Sequence, residues 1–202
     1  MTPSLNLTGT NSNDTLSGNS GNDFITGNGG DDTLKGFHGN DEISGGDGND
    51  TIDGGDGNDT LKGDAGNDTI TAGSGDDTVE GGDGNDTIYG SSGTNTLKGD
   101  GGDDILNSGS GDDTIYGGDG NDTFSGLGAN DKAFGGDGDD NIYAGLINYI
   151  DAGAGDDQVL LYAADGGRKF DFLDGGPGTD TLNFYYKDTN FCLQSLKLHQ
   201  IY

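Results

Sequence analysis

Apolar residues recur once every nine positions along most of this chain. Between Gly9 and Tyr143 the eighth residue of every nonapeptide is apolar, from Leu16 to Ile142. Its two neighbours are usually polar, so each unit contains a polar–apolar–polar triplet, which is the period of a strand with one buried face. The other six residues are rich in the turn formers Gly, Asp and Asn. The pattern predicts units made of a six-residue turn and a three-residue strand, with one side chain in nine pointing inward.

The nine-residue units follow one another without insertion or deletion. The span from Gly9 to Tyr143 holds fifteen units, and two more fit at Ala152–Leu160 and Gly175–Asn183. A strand of three residues cannot bury its apolar face alone, so the units must coil and stack. Two units per coil place strands on two opposite faces, with the eighth-place side chains between them. Because parallel strands lie about 4.8 Å apart, fifteen units would make about seven coils, on the order of 36 Å long.

The sixth residue of each unit is the candidate metal ligand. Gly at the first and fourth places reaches positive φ without steric cost, so the backbone can turn sharply and present carbonyl groups inward. An aspartate at the end of the turn adds an anionic oxygen. Stacked turns would form rows of oxygen cages suited to a hard cation with six to eight oxygen ligands. The candidate ligands are Asp14, Asp23, Asp32, Asp41, Asp50, Asp59, Asp68, Asp77, Asp86, Asp104, Asp113, Asp122, Asp131 and Asp140, with Asp157 and Asp180 in the two later units.

The best-conserved units within the array read GGDGNDTID and GGDGNDTLK at 45–62, GGDGNDTIY at 81–89 and GGDGDDNIY at 135–143. They resemble the calcium-binding nonapeptide of RTX (repeats-in-toxin), or hemolysin-type, proteins. The resemblance implies an all-β fold, a right-handed parallel β-roll of about fifteen to seventeen repeats. It also implies a Ca²⁺ between successive coils, bound by backbone carbonyls of two turns and by the sixth-place aspartates of both. Fifteen units offer thirteen such pairs, and the two that involve Asn95 are expected to be weaker because they lack one carboxylate.

Four segments follow from the register of the repeat. Residues 1–8 form a lead-in in which Leu5 and Leu7 alternate as a possible capping strand, and 9–143 form the regular roll. Within the roll, Gly126–Phe134 departs from the pattern, which predicts a distorted turn or a local cavity. Residues 144–183 form irregular repeats and a thicker cap. The tail 184–202 leaves the repeat composition and could be a cap, part of an export signal or the stub of a longer chain.

The charge of the chain favours metal-coupled folding. There are 8 Lys and Arg against 37 Asp and Glu, giving a net charge of −29, and only 28% of residues are hydrophobic. This composition is typical of disordered chains, yet thirteen Ca²⁺ would add +26 and nearly cancel the repulsion. We therefore expect the chain to be disordered without calcium and ordered with it. The acidic balance argues against nucleic-acid partners, no apolar run is long enough to span a membrane, and we expect a monomer.

Localisation is inferred from the resemblance alone. RTX-like proteins leave Gram-negative bacteria unfolded through a type I secretion apparatus and fold in the calcium-rich exterior. Residues 1–10 lack the basic start and apolar segment of a cleaved signal peptide. The single Cys192 leaves no disulfide framework, and in this family calcium takes the place of such a staple.

No catalytic motif appears in the sequence. His38 and His199 are far apart, and neither a HExxH zinc motif nor a Gly-x-Ser-x-Gly elbow occurs. The leading interpretation is a non-enzymatic, secreted calcium-binding module. One alternative is the calcium-binding C-terminal module of a secreted enzyme or toxin, such as a protease, lipase or polysaccharide epimerase, whose catalytic domain lies outside these residues.

Another alternative is a surface adhesin or ice-binding protein. The column of Thr at the seventh place fits good strand propensity on an outward position, or a hydroxyl ladder that orders water. Ice-binding adhesins built on similar rolls carry Thr at the third place, where this chain has residues such as Asp47 and Asp56. The ice-binding interpretation is weakened accordingly.

Overall fold

The chain winds into two facing parallel sheets in a computed structural model that describes residues 2–128, 130–145, 149–163 and 172–186. Of the predicted tail 184–202, residues 184–186 continue a strand, whereas residues 187–202, with Cys192 and His199, lie outside the described residues. So do Ala129 in the irregular turn and residues 164–171 in the predicted irregular segment. Among the described residues no helix is both long and apolar enough to cross a membrane.

Each sheet has ten described strands, and the chain alternates between the sheets. Sheet A consists, in order, of β1 (Asn6–Thr8), β3 (Phe24–Gly29), β5 (Glu42–Asp47), β7 (Thr60–Ala65), β9 (Thr78–Asp83), β11 (Thr96–Gly101), β13 (Thr114–Asp119), β15 (Lys132–Asp137), β17 (Tyr149–Ala154) and β19 (Phe172–Asp174). Sheet B consists of β2 (Thr15–Ser17), β4 (Thr33–His38), β6 (Thr51–Asp56), β8 (Thr69–Ser74), β10 (Thr87–Tyr89), β12 (Ile105–Asn107), β14 (Thr123–Leu127), β16 (Asn141–Ala144), β18 (Gln158–Ala163) and β20 (Thr181–Tyr186). The predicted all-β, two-sheet solenoid is confirmed.

The register of the strands follows the eighteen-residue coil. Ile52 pairs with Ile70, and Leu97 pairs with Ile115, in parallel ladders. Most strands are six residues long rather than the predicted three. The strands are longer than predicted because residues at the first three places of the next unit also pair with the neighbouring coil. For example, the backbone N–H of Gly48 donates to the carbonyl of Ala65 at 2.8 Å.

The core is a double file of eighth-place side chains. Residues such as Ile70, Leu97 and Phe124 are fully buried between the sheets. The prediction that one side chain in nine points inward was wrong, because the first and sixth places are buried as well. At the first place the inward position is usually glycine, while Ala72 and Ser108 place small side chains there with no exposed surface. The core is therefore narrow and flanked by buried polar groups.

The irregular C-terminal part continues the same coil. Strand β19 and the first three residues of β17 lie outside the predicted units, so the repeat count from sequence missed these strands. Lys132 pairs with Tyr149, seventeen residues on, and Tyr149 pairs with Phe172, twenty-three residues on. The predicted distortion of Gly126–Phe134 is confirmed at its start, where the pairing of β14 with β16 shifts register between Phe124 and Leu127.

Four aromatic side chains on the outer face of sheet A form a continuous stack, called here the aromatic stripe. Its ring centroids lie 4.9 Å apart for Tyr116 and Phe134, 5.5 Å for Phe134 and Tyr149, and 4.4 Å for Tyr149 and Phe172. The stripe covers the C-terminal half of the face, and toward the N-terminus the large side chains of the same face are polar except at Phe24.

Candidate metal centre

The sixth-place residues form two rows, one at each edge of the roll. Each residue stands just before a strand, so units that enter sheet B build one row and units that enter sheet A build the other. Row 1 precedes the strands of sheet B and contains Asp14, Asp32, Asp50, Asp68, Asp86, Asp104, Asp122, Asp140, Asp157 and Asp180. Row 2 precedes the strands of sheet A and contains Asp23, Asp41, Asp59, Asp77, Asn95, Asp113 and Asp131. All sixteen predicted ligands lie in these rows.

One carboxylate oxygen of each aspartate has a structural task. The backbone N–H of Asp32 donates to Oδ1 of Asp50 at 2.7 Å, and the N–H of Asp50 donates to Oδ1 of Asp68 at 2.7 Å. The same bond recurs from coil to coil along both rows. It fixes the orientation of each side chain and leaves only Oδ2 for another partner.

That second oxygen is buried and unpaired at most positions. A buried carboxylate oxygen without a partner is costly and rare in native proteins, so each one calls for an explanation. Among the described residues, Oδ2 has no hydrogen-bond partner in Asp32, Asp41, Asp50, Asp59, Asp68, Asp77, Asp86, Asp104, Asp113, Asp122, Asp140, Asp157 and Asp180. A row of such oxygens, each on a nearly inaccessible side chain, is what a row of bound cations would satisfy.

The first-place glycine supplies the space beside each unpaired oxygen. A methyl group at Gly54 would lie 2.5 Å from Oδ2 of Asp59 and 2.6 Å from the carbonyl oxygen of Ala72. Both distances are too short for a side chain to fit without moving one of the two oxygens. A carboxylate oxygen from one coil and a carbonyl oxygen from the next thus lie close together beside this glycine.

The fourth-place glycine extends the same arrangement. Gly48 and Gly57 have φ of 132° and 138°, a region that L side chains rarely adopt. Any Cβ at Gly48 would overlap the carbonyl oxygen of Gly30 in the coil before. The turns therefore stack with backbone carbonyls facing the spaces between coils. The prediction of positive φ at the first place was wrong for the regular units, because the second place adopts it instead, as at Gly46 and Gly55.

Without a cation, burial and mutual repulsion disfavour the ionised form of these carboxylates. Burial, as the main cause, raises the pKa of Asp68, Asp122 and Asp140 to about 7. It raises the pKa of Asp59 and Asp86 to about 6. The hydrogen bond from the preceding coil lowers each pKa in part, and neighbouring carboxylates raise it again. A bound cation would reverse this balance, because it favours the ionised form.

Three predicted ligands differ from the others, since their Oδ2 already accepts hydrogen bonds. Asp14 accepts from the N–H of Thr10 at 2.6 Å and from its hydroxyl at 2.9 Å, and Asp23 accepts from the N–H of Asn19 at 2.6 Å. Oδ2 of Asp131 has two donors, the N–H of Gly128 at 2.6 Å and, at 3.3 Å, the hydroxyl of Ser108. Sequence reasoning missed the role of Ser108, although its place in a column of glycines was a signal.

Side chains alone do not complete a metal site. Within the described ranges, no three His, Cys, Asp or Glu side chains converge as a metal-binding group. The donor set is instead paired carboxylates plus backbone carbonyls, all of them oxygen. Hard oxygen donors in number suit Ca²⁺ better than a transition metal. The residues present therefore fit a row of calcium ions.

The fold and its donors define a calcium-binding β-roll. The model of the RTX calcium-binding nonapeptide repeat (four copies) matches this chain at residues 8–36, 36–70, 53–88, 62–97, 80–115, 89–124, 116–146, 147–161 and 164–184. The chain belongs to the RTX calcium-binding nonapeptide repeat family, and Ca²⁺ is the ion that its repeats bind. No curated protein matches it.

Proposed function

We propose that this chain is a secreted, non-enzymatic β-roll that folds when it binds Ca²⁺ outside the cell and acts as a folding and structural module. The observation that carries the proposal is the series of buried, unpaired Oδ2 atoms in rows 1 and 2. Each ion would take Oδ2 atoms and backbone carbonyls from two successive coils, for example those of Asp50 and Asp68.

A bound ion would supply the positive charge that holds neighbouring turns together, and the residues of the chain would position it and exclude water. The sixth-place aspartates hold the position through Oδ1, and the first-place glycines leave room. The eighth-place side chains exclude water from one side. Coupled binding and folding is supported by the charge, since a chain of net charge −29 with a narrow core has little else to hold it together.

Calorimetric titration with Ca²⁺ and with Mg²⁺ tests the ligand assignment. Mg²⁺ is smaller and demands a near-ideal octahedron, so we expect multiple Ca²⁺ ions to bind per chain and Mg²⁺ to bind far more weakly. The same number and affinity for both ions would contradict a calcium site built from these turns.

Secretion through a type I apparatus is supported by the family, whose members are typically secreted proteins. Export from a Gram-negative host that carries such an apparatus tests it, with a variant that lacks residues 187–202 of the tail and keeps strand β20 intact. We expect the full chain in the medium and the truncated chain inside the cell. Equal export of both would contradict a signal in this segment. A roll with this task would serve equally in a larger secreted enzyme or toxin.

A second candidate function is binding to an ordered surface such as ice. One observation favours it: outward threonines lie in register along sheet B, where Thr33 pairs with Thr51 and Thr69 pairs with Thr87. Ile105 interrupts the column. Thermal hysteresis of the calcium-loaded chain tests this candidate, with Thr69→Val as the variant. Thermal hysteresis that Thr69→Val reduces would support ice binding. No hysteresis in the calcium-loaded chain would contradict this candidate function.

A further inference from the structure

The two rows of sixth-place residues differ in quality along the middle of the roll. In row 1 the first place keeps glycine at Gly81, Gly99 and Gly117, and the sixth place keeps aspartate without a break. In row 2 the corresponding units carry Ala72 and Ser108 at the first place, Asn95 at the sixth and Leu127 at the second. The departures at the first and sixth places between residues 72 and 131 thus fall on one edge of the roll, whereas the second place also departs in row 1, at Asp100.

Asn95 keeps the structural bond of an aspartate but not its free oxygen. Its Oδ1 accepts the N–H of Asp77 at 3.0 Å, as an aspartate would. Its Nδ2 donates to the carbonyl of Gly90 at 3.3 Å. Other first-place carbonyls, such as that of Ala72 beside Asp59, face the space between coils. The Asn95 amide therefore puts a donor where a cation needs an acceptor, and it occupies a carbonyl as well.

Asp131 is held by the protein itself. Its Oδ1 accepts the N–H of Asp113 at 2.9 Å, and its Oδ2 accepts from Gly128 at 2.6 Å and from Ser108 at 3.3 Å. Ser108 is completely buried, so its hydroxyl lies between the coils rather than in solvent. Both oxygens of this carboxylate therefore accept hydrogen bonds from the protein.

One further departure lies earlier in row 2. Ala72 is fully buried at a first-place position, where glycine elsewhere leaves room beside the aspartate of the same unit, here Asp77. Row 2 therefore loses space at Ala72, loses a carboxylate at Asn95 and gains protein donors at Asp131. Row 1 shows none of these changes over the same coils.

We propose that the two rows bind calcium unequally, an inference that rests on the proposed calcium-binding function. Row 1 binds Ca²⁺ from Asp32 onward, where Oδ2 is unpaired. Row 2 binds fewer ions between Asn95 and Asp131, because the Asn95 amide and the donors to Asp131 replace ion contacts there, although Oδ2 of Asp113 remains unpaired. Over the same coils row 1 keeps unpaired Oδ2 atoms at Asp86, Asp104 and Asp122.

The test is the number of Ca²⁺ ions bound per chain, measured by equilibrium dialysis on the full chain for the wild type and for Asn95→Asp. We expect Asn95→Asp to bind one or two more ions than the wild type, because it restores a carboxylate to two adjacent spaces. The matched control is Asn85→Asp, which adds the same charge at an exposed fifth-place position. Asp31 already fills that place elsewhere, where its Oδ1 accepts the N–H of Asn49 at 2.9 Å. We expect the control to bind the wild-type number.

A second variant keeps the test decisive if Asn95→Asp does not fold. Ser108→Gly removes the hydroxyl from the space between Asp113 and Asp131, and we expect one additional ion. Unchanged counts in folded variants, or a wild-type count that fills every adjacent pair of both rows, would overturn unequal binding while leaving calcium binding intact. A wild type that binds no Ca²⁺ would instead overturn the proposed function, and this inference with it.

Discussion

At the scale of the residue, the two oxygens of each sixth-place aspartate have separate tasks. Oδ1 accepts a backbone N–H from the coil before, and Oδ2 is left for a cation. Asparagine can accept the backbone N–H but has no second anionic oxygen for a cation. Oδ1 of Asn95, for example, accepts the N–H of Asp77. Aspartate-to-asparagine substitutions therefore separate the fold of a turn from its ion.

For Asp68→Asn in row 1 we expect opposite effects with and without calcium. In saturating Ca²⁺ the free energy of unfolding should fall by about 3 kcal/mol, the order found when one partner of a buried charge pair is removed. Without calcium the strand content should not fall, because a buried carboxylate has been replaced by a neutral group. Chemical denaturation in saturating Ca²⁺ and circular dichroism of the calcium-depleted chain measure the two effects. The control is Asp83→Asn, an exposed third-place charge, and equal losses for both variants would contradict the assignment.

The stability of the calcium-free chain should depend on pH. Burial raises the pKa of Asp122 and Asp140 to about 7, above the value of about 4 for an exposed aspartate. The folded state thus binds protons more tightly than the unfolded chain. The stabilisation of the folded state by these protonated aspartates is fully present below pH ~4 and is lost as the pH rises through about 6–7.

We therefore expect the calcium-depleted chain to gain strand structure as the pH falls from about 8 to about 5. In the presence of calcium the same acidification should raise the half-saturating Ca²⁺ concentration, because protons compete for the carboxylates. Circular dichroism across this pH range measures both effects. A calcium-free spectrum that loses strand signal on acidification would contradict the raised pKa values.

At the scale of the element, each strand contributes one large apolar side chain to the core. Ile70 in β8 is fully buried, whereas its neighbour Thr69 faces solvent. We expect Ile70→Ala to lower the free energy of unfolding of the calcium-bound chain by about 2–5 kcal/mol. Thr69→Ala should change it by no more than about 0.5 kcal/mol. Similar values for both in denaturant titrations would mean that the eighth-place file is not the core.

The aromatic stripe stabilises the C-terminal strands, where the repeat is least regular. Ring pairs of this geometry contribute about 0.5–1.5 kcal/mol beyond burial. A double-mutant cycle with Tyr116→Leu and Phe134→Leu should therefore give a coupling energy in that range, since their centroids lie 4.9 Å apart. Additive effects of the two substitutions would show that the stack contributes nothing specific.

The sequence was sufficient wherever a strand repeats the nonapeptide, and insufficient elsewhere. The register of β6 and β8 follows from counting eighteen residues, because the Gly and apolar columns admit one phase. Strands β17 and β19 were missed because their coils are seventeen and twenty-three residues long. The donors to Asp131 were also missed, since the bond from Ser108 joins two coils and depends on three-dimensional packing.

At the scale of the whole molecule, the net negative charge opposes folding. A formal charge of −29 is distributed over a roll whose core is two files of side chains, and self-repulsion at this level opposes the compact state. Each Ca²⁺ removes two units of that charge and joins two coils. Ligand binding that is confined to the folded state shifts the folding equilibrium by mass action, so the sites along the roll can together drive folding.

The most direct test is far-ultraviolet circular dichroism of the calcium-depleted chain, titrated with Ca²⁺ and then with chelator at neutral pH. We predict a coil spectrum that converts cooperatively to strand as calcium is added and returns to coil with chelator. Full strand signal in the depleted chain, unchanged by either addition, would contradict calcium-coupled folding and would mean that the roll is held together without its ions.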